Sequence, residues 1–173
     1  MPQKKLDKQL LLITLYFIER LDGVLGKTHL QKLLFLTDLI AAKRIKQRIT
    51  TIEYKKYRYG PFSPELEKYT DTLIRKKLIE EREFPFVSNS HKKYTRYYIK
   101  KGISAKPSLV KEIGNEKVML IDEIISSYGN MSLQEVVDVV YKLQIVKESE
   151  MNKPLDMAKE MKKEETNLEE DIF

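Results

Sequence analysis

The chain has 173 residues and a formal net charge of +6, with 42% hydrophobic and 34% charged residues. This balance predicts a globular body of one domain, or of one domain with an appendage. The absence of cysteine excludes disulfides and thiolate chemistry, and two histidines are too few for a typical zinc site. The longest uncharged apolar run, Leu10–Ile18, is far shorter than the roughly 20 residues of a membrane helix. The N-terminus also lacks the pattern of a signal peptide, so we expect a cytoplasmic protein.

Charge is spread unevenly along the chain. Residues 144–173 hold five basic and nine acidic residues, a net charge of −4, whereas residues 1–143 have a net charge of +10. A basic body with an acidic tail is typical of proteins that meet polyanions, although a lysine-rich surface also serves solubility. We predict a domain over residues 1–145 and an acidic tail over residues 146–173. The tail is either a marginal surface helix that frays or a disordered segment.

The first part of the chain is expected to be helical. Apolar residues at helical spacing predict a first helix over residues 6–21 and a second helix that begins at Thr28. In the second helix, Thr28 and Gln31 have the spacing of a capping box. Apolar residues cover most of the circumference of this helix, which is typical of a buried helix or of one that forms a dimer contact. A homodimer is therefore compatible with the sequence.

The stretch KYRYGPFSPEL predicts a short strand that meets a helix at a stiff corner. The strand covers Ile52–Tyr59, and Gly60 and Pro61 then turn the chain. Ser63 precedes a proline, which favours the extended backbone of an N-cap, and proline is well suited to the first position of a helix. A third helix is therefore expected over residues 64–77.

A β-hairpin and two more helices follow. The β-rich stretches LIEEREFPFV and YTRYYIK flank the polar cluster SNSHKK, which predicts the hairpin. One helix is centred on residues 118–128, and the next opens with a capping box at Ser132 and Glu135. The expected fold class is α+β and mostly helical, with a winged helix-turn-helix core of three helices plus the hairpin and with additional C-terminal helices.

No pattern in the sequence predicts catalysis. The stretch GVLGKTHL lacks the first glycine of a phosphate-binding loop and follows a helix instead of a buried strand. His29 and His91 have no nucleophile or orienting carboxylate that the sequence would place beside them. We therefore expect a protein that is not an enzyme and that needs no catalytic residue, cofactor or metal.

The hairpin and the third helix carry a candidate nucleic-acid-binding surface. Basic residues interleave with tyrosines on the second hairpin strand, which suits a phosphate backbone, and the third helix of such a fold enters the major groove. The candidate contacts are Lys68, Thr72, Arg75, Lys76, Lys92, Lys93, Arg96 and Lys100.

Acidic residues argue against this surface. Glu65, Glu67 and Asp71 lie in the N-terminal part of the third helix, where they would face phosphates. Two functions therefore stay open. A transcriptional regulator that binds double-stranded DNA is favoured, and a module that binds a protein partner is the alternative.

Four stretches occur in the order seen in a family of small prokaryotic proteins: LQKLLFL from Leu30, YGPFSPEL from Tyr59, LIE from Leu78 and YGNMS from Tyr128. Over residues 5–145 the chain resembles the YwgA-like proteins and the SocA-like antitoxin domain, also called Panacea. The resemblance implies a mostly helical, non-catalytic fold and, in the antitoxin branch, a protein that neutralises a toxin by direct contact. It places these motif residues at scaffold positions near the interaction surface: Gln31, Lys32, Tyr59, Gly60, Pro61, Ser63 and Glu65. The alternative function is thus an antitoxin-like or adaptor module.

Overall fold

The chain folds into helices with two small antiparallel hairpins, as seen in a computed structural model that describes residues 7–24, 26–86, 89–100 and 108–163. The first half contains α1 (Lys8–Arg20), α2 (Gly26–Arg44), β1 (Lys55–Tyr57), β2 (Gly60–Phe62), α3 (Pro64–Arg75), β3 (Ile79–Phe86) and β4 (Asn89–Ile99). The second half contains α4 (Ser108–Ile113), α5 (Asn115–Tyr128), α6 (Leu133–Lys142), α7 (Gln144–Lys147) and α8 (Met157–Lys162). The predicted α+β, mostly helical class is confirmed. None of the helices in the described ranges is both long and apolar enough to cross a membrane.

Helix α2 forms the centre of the hydrophobic core. Every residue from His29 to Lys43 is buried. Helices α5, α6 and α8 and strand β2 pack against it, and the apolar side chains of α1 join the same continuous cluster. The broad apolar surface that the sequence shows on this helix is therefore covered within the chain, so its breadth does not require a second copy.

The start of α2 differs from the prediction. The helix begins at Gly26, so Thr28 lies inside its first turn and is not the cap. The side chain of Gln31 bonds to the backbone of Ser63, which is distant in the sequence. The predicted capping box is wrong because the side-chain amide of Gln31, which would close the box, bonds to the backbone of Ser63 instead.

A buried carboxylate holds the chain between α2 and β1. Asp38 is fully buried and accepts hydrogen bonds from the main-chain N–H groups of Ile49 (2.8 Å) and Thr50 (2.7 Å). Its other oxygen accepts from the hydroxyls of Thr50 (2.5 Å) and Tyr54 (3.1 Å). Burial raises the pKa of Asp38 to about 6, against the lowering effect of these donors. One side chain thus fixes the path of the chain into β1.

The predicted corner contains a strand of its own. Gly60 adopts a φ of +86° and starts β2, which pairs with β1 in the register Lys55↔Phe62 and Tyr57↔Gly60. The strand expected over residues 52–59 is therefore shorter and covers only Lys55–Tyr57, and β2 pairs with it immediately after the turn. The helix start is confirmed, since Ser63 caps α3 by accepting from Leu66 N–H (3.4 Å) and proline occupies the first turn.

Replacing Ser63 with alanine is expected to lower the free energy of unfolding by about 1 kcal/mol, because the first turn of α3 loses its side-chain acceptor. Urea denaturation followed by circular dichroism measures the change. The control is Ser126→Ala, which alters an exposed serine inside α5 and is expected to leave stability within about 0.5 kcal/mol. Equal effects of the two substitutions would contradict the capping role.

Strands β3 and β4 form the predicted hairpin, with Ile79 opposite Ile99 and Pro85 opposite Lys93. The segment between α1 and α2 bonds to this hairpin through an isolated antiparallel bridge. Val24 N–H donates to the Tyr97 carbonyl (3.0 Å), and Tyr97 N–H donates to the Val24 carbonyl (2.9 Å). The hairpin is thereby fixed against the N-terminal helices.

The segment over residues 146–163 packs on the body, whereas the sequence predicted a fraying or disordered tail. Main-chain hydrogen bonds join residues 152–155 to the chain around β1. The side chains of Leu155 and Met157 are buried in the core. The structure therefore differs from the expectation over this segment, and the rest of the predicted tail, residues 164–173, lies outside the described residues.

Candidate functional site

Two neighbouring residues of α2 bind the backbone of the β2–α3 corner. The Gln31 amide donates to the Ser63 carbonyl (3.2 Å) and accepts from Ser63 N–H (2.6 Å). The ammonium of Lys32 donates to the Pro61 carbonyl (2.7 Å). Both side chains are only 2% exposed, and burial lowers the pKa of Lys32 to about 8. The two motif stretches LQKLLFL and YGPFSPEL are thus joined by three buried hydrogen bonds.

Helix α6 supports the same corner from another side. A side chain at Gly60 would place its Cβ 2.9 Å from Cγ2 of Val140, so both the positive φ and the close packing require glycine. The Tyr141 hydroxyl donates to the Arg58 carbonyl (2.7 Å) and lies 3.0 Å from the Tyr57 carbonyl oxygen. The corner is therefore held rigidly between α2 and α6.

A cavity of about 170 Å³ opens beside this corner, and we name it the tyrosine pocket. Its lining residues are Lys27, Thr28, Gln31, Lys32, Tyr57, Tyr59, Gly60, Phe62 and Glu67. The rings of Tyr57 and Phe62 lie 5.3 Å apart, and Tyr59 is 64% exposed. Most of the corner residues that the resemblance singled out line this pocket or hold its wall.

A larger cavity of about 630 Å³ lies between the hairpin and the starts of α2 and α6, and we name it the hairpin groove. Its lining residues are Gly26, Lys27, Thr28, Lys93, Tyr94, Thr95, Arg96, Ser132 and Leu133. Lys27 and Thr28 line both cavities, so the two adjoin. We call the tyrosine pocket and the hairpin groove together the two-cavity surface.

Exposed large hydrophobic side chains concentrate on the two-cavity surface. Within the described ranges, those that are exposed are Tyr57, Tyr59, Met119, Leu133 and Met151. Three of these line one of the two cavities. Exposed aromatic and aliphatic side chains around a concave surface are typical of protein-binding sites, where aromatic anchors supply much of the affinity.

Buried polar atoms of His29 and Arg96, beside the hairpin groove, lack hydrogen-bond partners. Both ring nitrogens of His29 and the Nε of Arg96 are buried and unbonded, and in the described part of the chain the only other such side-chain atom is the Thr14 hydroxyl oxygen. Burial, helped by the positive charge of Arg96, lowers the pKa of His29 to about 4, so its ring is neutral at neutral pH. Buried polar atoms without a hydrogen-bond partner are rare in folded proteins, so these atoms of His29 and Arg96 call for an explanation.

The structure separates the candidate nucleic-acid contacts. Lys93 and Arg96 line the hairpin groove. The helix α3 and its C-cap carry the exposed or half-exposed Lys68, Thr72, Arg75 and Lys76, none of which lines either cavity, and Lys100 follows the end of β4. Lys92 belongs to β4, but its side chain lies outside the described residues.

Acidic residues of β3 offset the positive charge of β4. Lys93 pairs with Glu83 (2.9 Å) across the hairpin, and Arg82 pairs with Glu80 within β3. The middle of α3 also supplies an acid, since Asp71 pairs with Lys27 at 2.5 Å. A phosphate backbone that ran along the hairpin would therefore meet carboxylates as well as cations.

Sequence reasoning missed Lys27, Thr28 and Leu133 as surface residues. They come from the first turns of α2 and α6, which only the tertiary structure brings beside the hairpin. For a metal, the described residues offer no group of three or more histidine or carboxylate side chains placed to hold an ion.

Comparisons with known proteins place this surface in context. No curated protein and no solved structure matches the chain. The family model described as antitoxin SocA-like, Panacea domain, does match it over residues 30–145, which run from the start of the LQKLLFL stretch to α7. The corner, α3, the hairpin and α6 all lie in the matched range, whereas α1 and α8 lie outside it. The chain therefore belongs to the antitoxin SocA-like, Panacea domain family.

Proposed function

We propose that the chain is an antitoxin-like module without catalytic activity that neutralises a protein partner by binding it on the two-cavity surface. Membership of an antitoxin-like family supports a protein partner. The observation that carries the assignment to this surface is the grouping of Tyr57, Tyr59 and Leu133, which are exposed around two adjoining cavities. Buried hydrogen bonds hold the corner that presents the tyrosines, so binding would not need to order it.

The order of elements supports a winged-helix core as part of this proposal. Helices α1, α2 and α3 are followed by the β3–β4 hairpin, and Val24 bridges to β4. One feature departs from a helix-turn-helix, which joins its two helices by a turn of about 3–4 residues. Here residues 45–63, with β1 and β2, separate α2 from α3. We therefore propose a winged-helix relative whose inserted corner is used for a protein contact.

The DNA-binding function, which the sequence favoured, receives no support from the comparisons. The carboxylate of Glu83, which lies beside Lys93 on the hairpin, would also repel a phosphate backbone that ran along the strands. A protein partner agrees better with both observations, and DNA binding becomes one outcome of the test.

The test begins with a search for a growth-arresting protein from the genome that encodes this chain. Its reading frames are expressed one at a time in a host, and those that arrest growth are co-expressed with the full chain. We expect the chain to restore growth against at least one of them and to form a complex with it in a purified mixture. Specific binding of duplex DNA with a steep salt dependence, in the absence of any neutralised protein, would overturn the proposal.

Replacing Tyr59 with alanine is expected to weaken binding of the neutralised protein by about tenfold or more, because an exposed aromatic anchor is lost. Growth rescue and calorimetry measure the effect, and urea denaturation checks that stability stays within about 0.5 kcal/mol of the wild type. The matched control is Met119→Ala, which truncates an exposed side chain that lines neither cavity. Wild-type affinity of the Tyr59 variant would place the interface elsewhere.

A further inference from the structure

We infer that the hairpin groove receives an acidic segment of the protein partner, with Arg96 as the cation that pairs with a carboxylate of that segment. This inference rests on the proposed function and adds the chemistry of the bound segment.

The charge of the groove favours an acidic ligand. Its lining contains Lys27, Lys93 and Arg96 and no acidic side chain. Lys27 and Lys93 pair with Asp71 and Glu83, but these pairs are partly open to solvent and of the kind that contributes little to stability. Both lysines are therefore able to turn toward a ligand carboxylate at small cost.

Arg96 differs from the two lysines because the free chain leaves it incompletely bonded. Its Nε is buried without a hydrogen-bond partner, and no carboxylate of the described residues forms an ion pair with it. The neighbouring ring of His29 is buried without partners as well. The side chain of Arg96 as a whole is half-buried and lines the groove, so a ligand carboxylate would receive charge-assisted hydrogen bonds from the terminal nitrogens of its guanidinium. The described part of the chain thus offers Arg96 no carboxylate partner, and a ligand in the groove would supply one.

The remaining walls favour a peptide over a nucleic acid. Tyr94 and Leu133 add apolar surface to the same groove, and Leu133 is 37% exposed. A peptide would use these walls for its side chains while its carboxylates meet the cations. A longer polyanion that continued along this side of the hairpin would meet Glu83 of β3, which lies beside Lys93. A short acidic segment avoids this repulsion because it stays within the groove.

The experiment is a selection of random peptides displayed on phage against the purified full chain at physiological ionic strength. We expect the enriched peptides to carry a net negative charge, and we expect a synthetic copy of one of them to bind about tenfold or more weakly to Arg96→Met, the loss of about 1.4 kcal/mol. Arg96→Lys keeps the charge and most of the bulk, and it should bind with intermediate affinity. Circular dichroism confirms that both variants are folded.

The matched control is Arg75→Met, which removes the same charge from an exposed position of α3 outside the groove. A second readout uses His29, which is one of only two histidines in the chain. Its ring signals in nuclear magnetic resonance should move when the peptide binds. Enrichment of neutral or basic peptides, no enrichment at all, an equal loss with Arg75→Met, or displacement of the peptide by duplex DNA would each overturn the inference. Growth rescue would still depend on Tyr59 if this inference were overturned, so the experiments test the inference and the proposed function independently.

Discussion

Replacing Asp38 with alanine is expected to lower the free energy of unfolding by about 4 kcal/mol, a large part of the stability of a typical domain. The variant would leave four donors without their acceptor: the N–H groups of Ile49 and Thr50 and the hydroxyls of Thr50 and Tyr54. Each unsatisfied buried donor costs about 1–3 kcal/mol, and water that enters the vacated space recovers part of the sum. Urea denaturation measures the loss.

The matched control for Asp38 is Asp122→Ala. Asp122 also accepts two side-chain hydrogen bonds, from Tyr16 (2.9 Å) and Arg20 (3.1 Å), but its side chain is 35% exposed. Solvent replaces those bonds, so the expected loss is below about 1 kcal/mol. A loss of similar size at both positions would show that the buried carboxylate does not organise the turn into β1.

The stability difference between the wild-type chain and Lys32→Met is expected to depend on pH. Burial lowers the pKa of Lys32 from its usual 10.5 to about 8, so the folded chain releases this proton before the unfolded chain does. The contribution of Lys32 to stability is therefore fully present above pH 10.5 and is lost as pH falls through 8. The methionine variant lacks this dependence. Relative to it, the wild-type free energy of unfolding should rise by about 2 kcal/mol between about pH 7 and about pH 10.

Urea denaturation of both proteins across this pH range measures the effect, since titrations common to both cancel in the difference. The control is Lys68→Met, which removes an exposed lysine of α3. Its free energy of unfolding is expected to differ from that of the wild type by the same amount at every pH. If the difference in free energy of unfolding between the wild type and Lys32→Met did not change with pH, the amine would be solvated and would not bond to the Pro61 carbonyl as the structure has it.

Structural features were predictable where interactions between residues close in sequence determine them. The capping residues Ser63 of α3 and Ser132 with Glu135 of α6 act within one helical turn, and the structure confirms both. The hairpin was readable for the same reason, because its strands are adjacent in the chain and its turn cluster is polar. Lys93 and Arg96 were singled out by their position among tyrosines, and both do line a cavity, although one that we assign to a protein segment.

The failures have a common physical cause, which is competition from partners distant in sequence. Gln31 has the spacing of a local cap, yet its amide bonds to the corner. The sequence did not predict strand β2, because its glycine–proline pair resembles a plain turn and its hydrogen bonds depend on β1 lying beside it. Residues 152–155 lack the pattern of a strand, and their main-chain pairing with β1 becomes visible only in the folded chain.

By itself the sequence determined the mostly helical class, the helix starts at residues 63 and 132, the hairpin and the family resemblance, since capping, turn chemistry and periodicity act over a few residues. Only the tertiary structure decided which surface is available for binding. It buried the whole circumference of α2 and tied Lys32 and Asp38 to loops far along the chain. It also brought Lys27, Tyr59 and Leu133 around two adjoining cavities. Burial and convergence depend on packing between elements, for which a single sequence contains no local signal.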